Sequence, residues 1–207
     1  MKALKLAAVT LFHPIVGFRY MKKDRTKFNY HPIWIVLLLM IFTKIFSIYV
    51  THYPLNNVNL RNANLIIECA VMIVPVMTWV VASYAMTTIM DGEVMFRECL
   101  LACCYSLLPY IIVHIPLTLM TNVMDLGQIG WYSTINNASL LFVLVLLFIN
   151  LKEMNNYTIS KTFGVIFLSL CTMLVIWASI LLVYALTLRF TSFISEVIVE
   201  LQYKFIY

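Results

Sequence analysis

Residues Trp79 to Pro109 read WVVASYAMTTIMDGEVMFRECLLACCYSLLP, two apolar runs joined by the polar turn Asp91-Gly92-Glu93. The pattern predicts a helical hairpin whose turn lies at a membrane surface. Gly92 can take the positive φ that ends the first helix. Asp91 and Glu93 then place carboxylates at the start of the second, where unsatisfied N–H groups attract negative charge. Glu93 and Arg97, at i and i+4, are spaced to pair. Small residues on both arms, Ala82 and Ser83 against Ala102 and Ser106, predict a close approach of the kind membrane helices use to gain contact. Counting outward from the turn sets Tyr105 opposite Trp79 more nearly than Tyr84. The hairpin is therefore the expected centre of the fold.

Outside that stretch the chain stays apolar. Of 207 residues 63% are hydrophobic and 11% charged, which excludes an ordinary soluble domain. The runs are continuous rather than alternating, so the fold class is all-α, a polytopic membrane protein, and not a β-barrel. Cys69, Cys99, Cys103, Cys104 and Cys171 fall in or beside apolar segments without a CxxC pair or imidazole and carboxylate partners at ligand spacing. They read as packing residues, with no metal or cofactor implied. The net charge of +5 is concentrated near the N-terminus, so it speaks of membrane orientation and lipid contact rather than nucleic acid.

The chain reads as one membrane domain over 1–207, comprising a basic segment (1–31), a five-span bundle (33–190) and a tail (191–207). The first segment holds seven of the fourteen bases: Lys2, Lys5, Arg19, Lys22, Lys23, Arg25 and Lys27. Its apolar run meets His13-Pro14 rather than a small-residue cleavage site, so it is expected to remain. Two dispositions stay open, a pair of short interfacial helices with lysines toward anionic headgroups or a solvated basic arm. Spans are expected near Ile33–Val50, Asn64–Met90, Phe96–Met120, Tyr132–Leu151 and Phe163–Leu188. Pro75, Pro109 and Pro116 release the carbonyls of Val71, Tyr105 and Ile112, which Ser106, Tyr105 and Tyr110 are candidates to serve.

Ten bases fall on the side of the N-terminus, the Asp91 turn and the Lys152–Lys161 loop, against three (Arg61, Arg189, Lys204) on the other. That asymmetry puts the N-terminus inside and the C-terminus outside. From Thr191 onward, Phe193, Val197, Leu201 and Phe205 recur every four residues and Glu196, Glu200 and Lys204 form a second stripe, the mark of a short amphipathic helix at the outer end, lying on the membrane surface or against a partner protein.

At the hairpin the residues resemble the bacterial branch of the Yip-domain family, named from the Ypt/Rab-interacting membrane proteins. The pattern W-x4-Y-x6-D-G-E-x2-F-x8-Y-x3-P is carried by Trp79, Tyr84, Asp91, Gly92, Glu93, Phe96, Tyr105 and Pro109. His13-Pro14 with Gly17-Phe18, Pro116 to Leu119 with Asn122, and Tyr157-x3-Lys161-Thr162 extend the resemblance over nearly the full length. It implies five transmembrane helices with a cytoplasmic N-terminus. Eukaryotic members act in vesicle trafficking through GTPase and coat partners. The long soluble N-terminal region of those members has no counterpart here, so that role is not carried over. What the resemblance implies instead is an accessory or scaffold protein in a bacterial plasma membrane.

Lys44, Glu68 and His114 are ionisable residues inside apolar spans, costly enough to be functional hypotheses. Their distances from the outer span ends, about four to six residues at roughly 1.5 Å each, give all three a shared depth. A Lys44–Glu68 pair with His114 nearby would satisfy them mutually; snorkelling to the headgroups is the alternative. No nucleophile–base pair, phosphate loop, HExxH or paired carboxylates occur, so no catalytic residue is expected. The function predicted is a non-enzymatic scaffold or accessory subunit of another membrane assembly, such as a transporter or trafficking machinery. The alternative is a small transporter or channel built on the Lys44, Glu68 and His114 layer. Membrane lipids and another integral membrane protein are the expected partners.

Overall fold

Residues 3–23, 31–51 and 64–206 are described in the computed structural model. They form α1 (Ala3–Phe12), α2 (Pro14–Lys23), α3 (His31–Val50), α4 (Leu65–Ile89), α5 (Phe96–Met120), a 3-10 turn (Leu126–Gln128), α6 (Ile129–Asn155) and α7 (Ile159–Ile206). No strand occurs among the described residues, and α3 to α7 are each long and apolar enough to cross a membrane. The bases Lys2, Arg25, Lys27 and Arg61 used in the orientation argument lie outside the described residues.

The centre is one helix rather than the hairpin. α5 packs most broadly against α6 and α3, and α4 packs against α7, whereas α4 and α5 share much less. The arms meet near the turn, where Ser83 Oγ lies 3.7 Å from Cys99 Sγ and Tyr84 meets Phe96 edge-on at 5.4 Å between centroids. The reason is the connection. Residues 92–95 belong to neither helix, so the arms are not joined by one tight turn, and α3 shares the flank of α5. Ala102, Cys103, Cys104, Tyr105 and Ile111 are buried together there with Val36, Met40 and Val143. Ser106 donates to its own Ala102 carbonyl at 2.9 Å rather than to the Tyr105 carbonyl released by Pro109.

Two short helices form before the first long one, and they dock. α1 and α2 fold against each other and against α5 and α6. Leu6, Phe18 and Met21 enter the main core. Gly17 allows the crossing, because a Cβ there would stand 2.5 Å from Thr10 Cγ2 and 2.9 Å from its Cα. At the other end of the chain, the tail is helical as its period suggests, but it is the uninterrupted continuation of α7 rather than a separate interfacial helix. Nothing from 165 onward supplies a glycine or proline to stop it. At about 1.5 Å per residue its 48 residues reach about 72 Å, more than twice a hydrocarbon core of about 30 Å.

Candidate functional site: a clasp at one end of the bundle and a polar layer within it

The Asp91 turn is held by the loop between α6 and α7. Tyr157 is buried, and its hydroxyl is shared between the carbonyls of Thr87 at 3.2 Å and Met90 at 3.1 Å, the last turn of α4. Helix ends leave such carbonyls without intrahelical partners, so the phenol does the work of a cap. Gly92 N–H donates to the same Thr87 carbonyl at 2.7 Å. The left-handed residue of the turn is Asp91, with φ 55°; Gly92 does not take a positive φ. Glycine is needed at 92 for room. A Cβ there would stand 2.6 Å from Asn155 Oδ1, 2.7 Å from Thr87 O and 2.8 Å from the Tyr157 hydroxyl.

The loop itself is set by Asn156, whose φ of 55° ends α6, and by Tyr157 N–H donating to Lys152 O at 3.0 Å. The Lys161 ammonium stands 4.6 Å from the centroid of the Tyr157 ring, a cation–π contact that explains the Tyr157-x3-Lys161 spacing. Burial first, and then the charge of Asp91, raises the Tyr157 phenol above its ordinary pKa.

Charged residues of α2 close over this clasp. Lys22 Nζ lies 2.7 Å from Glu93 Oε2, a partner across the interface that the i, i+4 spacing to Arg97 did not suggest. Arg19 binds the buried Glu153, which Lys152 also reaches at 3.2 Å. Sequence spacing gave no sign of the Arg19–Glu153 pair, whose members are 134 positions apart. Glu98 is buried and accepts from Met95 N–H at 3.1 Å, capping α5.

Toward the other end, Lys44 Nζ on α3 lies 3.0 Å from Glu68 Oε2 on α4, with both side chains roughly three-quarters covered. His114 on α5 stacks on Tyr110 at 4.9 Å between centroids, and its Nε2 is 3.3 Å from Ser47 Oγ. Asn136 on α6 and Lys44 are near enough to act on its charge. Four helices therefore contribute to one layer of Lys44, Glu68, Ser47, His114 and Asn136. The last of these was missed because an asparagine near a span end carries no distinctive spacing. Of the remaining hairpin residues, Trp79 and Tyr84 pack partly covered against the core, and Tyr105 and Pro109 are buried in it. Among the described residues no group of three or more His, Cys, Asp or Glu converges to hold a metal.

A family model described as the Yip1 domain matches residues 8–189 of the chain. No curated protein and no solved structure matches it.

Proposed function

The chain belongs to the Yip1 domain family, and from that premise we propose that it acts without enzymatic chemistry, as a scaffold or accessory subunit of another assembly in a bacterial plasma membrane. The observation that carries this reading is the free run of α7. Every described side chain from 177 to 201 is exposed. Trp177 Nε1 lies 3.4 Å from Thr78 Oγ1, a hydrogen bond from α7 to α4. About twenty residues from Phe163 exhaust the hydrocarbon, so the later part stands outside it. Phe190, Phe193, Ile194, Val197 and Leu201 form an exposed apolar stripe on that part. An apolar stripe of this length in water marks an interaction surface, and a helix of another integral membrane protein is its natural cover.

Affinity purification from native membrane followed by mass spectrometry tests the reading. A partner that co-purifies with the intact chain and is lost from a Phe193→Asp, Val197→Asp variant of unchanged melting temperature supports it; retention of the same partner by that variant overturns it. The orientation it assumes is checked with an impermeant thiol reagent on intact cells, where a cysteine at Gln128 reacts and one at the exposed Thr158 does not.

The Lys44–Glu68 pair with His114 and Ser47 supports a second reading, a small transporter using that layer. Solute flux into liposomes that Glu68→Gln abolishes would favour it over the scaffold.

A further inference from the structure

We propose that the hollow between α2 and the Asp91 turn binds a phosphate group, presented by the headgroup of an anionic lipid. The hollow has a volume of about 580 Å³ and is lined by Arg19, Lys22, Lys23, Glu93 and Asn156. Three bases face one acid there, and around it Lys152 and Lys161 offset Glu153 and Asp91. The last turns of α2 and α6 bring roughly half a negative charge each. The balance is about one positive charge, the complement of one phosphodiester. Lys22 is held in place by Glu93, with its side chain 17% exposed, so part of the basic lining is fixed rather than a solvated fringe.

A lipid fits better than a soluble anion because of what precedes the bases on the same helix. Ile15 and Val16 are exposed, and at i, i+4, i+7 and i, i+3, i+7 they share faces of α2 with Arg19 and Lys22 or Lys23. Phe12, just before His13-Pro14, is exposed too. This segment thus offers apolar surface at one end of α2 and positive charge at the other, in the order in which a lipid offers acyl chain and phosphate.

The test uses the full chain in a neutral detergent, with melting temperature as readout. Dioctanoyl phosphatidylglycerol, dioctanoyl phosphatidylcholine and sodium phosphate are titrated at constant ionic strength. Stabilisation by phosphatidylglycerol but not phosphatidylcholine is expected. Lys23→Gln, at an exposed position, should weaken it about tenfold, whereas Arg189→Gln on α7 should leave it unchanged. Lys22→Gln also removes the Glu93 pair, so Lys23→Gln is the deciding variant. If sodium phosphate alone reproduces the shift and Lys23→Gln removes it, the phosphate site stands and its source is soluble. Equal stabilisation by phosphatidylcholine, or a Lys23→Gln variant that responds like the parent, overturns the site.

Discussion

α5 and α7 are both apolar helices of membrane-spanning length, yet 67% of the apolar window of α5 is buried inside the protein and 11% of that of α7. Hydropathy ranks α7 above α5 but does not say which of the two is surrounded by protein. Composition does: the buried face of α5 carries Cys99, Ala102, Cys103, Cys104 and Ser106, small side chains that let neighbouring backbones close in, while α7 runs through Leu, Ile, Val and Phe that suit lipid. Lipid is as apolar as a protein core, so what selects the inside of a membrane bundle is shape. The same contrast separates the two ends of the bundle. The clasp around Gly92 has no room for a methyl group, and the free end of α7 has no neighbour to intrude upon.

The largest effect should therefore come from the smallest change. Gly92→Ala adds one methyl where a backbone carbonyl, the Asn155 amide and the Tyr157 hydroxyl all stand under 3 Å. It is expected to lower stability by about 3 kcal/mol, the top of the overpacking range, seen as loss of folded protein on size exclusion in detergent. Gly92→Asn sharpens the point. Asparagine tolerates a positive φ, so if conformation were the reason for glycine it would be accepted; if room is the reason it fails as alanine does. Ala102→Leu, at a position with no exposure on α5, should come next, lowering stability by about 2 kcal/mol. Full recovery and normal melting of either the Gly92→Ala or the Ala102→Leu protein would dissolve the contrast between the helices.

A middling effect belongs to the clasp. Tyr157→Phe removes one donor from two carbonyls at the end of α4 and should lower stability by about 1 kcal/mol. The sign of its pH dependence is fixed. The folded pKa of Tyr157 is raised, so the contribution of the phenol is complete below about pH 10 and lost as pH climbs through the folded value. Melting curves of parent and Tyr157→Phe proteins should differ most at neutral pH and converge above pH 10. A gap that widens with alkalinity would contradict the hydroxyl's role as donor.

These cases also mark what the sequence could say. Five spans were legible because continuous apolar runs have one solution in a bilayer. Lys44 and Glu68 were legible as candidates for a pair because each is costly inside a span and residue counting gave both a similar depth, but the same depth also allowed each to snorkel. The centrality of α5 was not, since hydropathy reports exclusion from water and is silent on the choice between lipid and protein. The small residues of α5 were noticed, but as a hairpin contact rather than as the mark of a helix surrounded by others. Gly92 was rightly singled out for the wrong reason: the turn chemistry was visible at Asp91-Gly92-Glu93, while the crowding comes from Asn155 and Tyr157, brought in by folding. For α7 the absence of any breaker after Gly164 is in plain view, while the four-residue period from Phe193 suggests a separate helix because a period reports a face and not where a helix begins.

The smallest effect should come from the helix that looks most like a membrane span. Leu182 lies on α7 beyond Trp177 and is 61% exposed. Removing three carbons from a core leucine leaves a cavity and lowers stability by about 2–5 kcal/mol. At Leu182 lipid or detergent flows into the space, and no transfer from water is lost because the side chain was never in water. Leu182→Ala is therefore expected to change stability by less than about 0.5 kcal/mol, below the scatter of a melting curve in detergent. Its counterpart at the same chemistry is Leu101→Ala on α5, where the side chain is 3% exposed and the larger figure applies. Measured side by side, the two substitutions isolate packing from hydropathy. A Leu182→Ala protein as unstable as Leu101→Ala would mean that α7 has a protein neighbour along its free run even in detergent, and a second copy of the chain would be the first to look for.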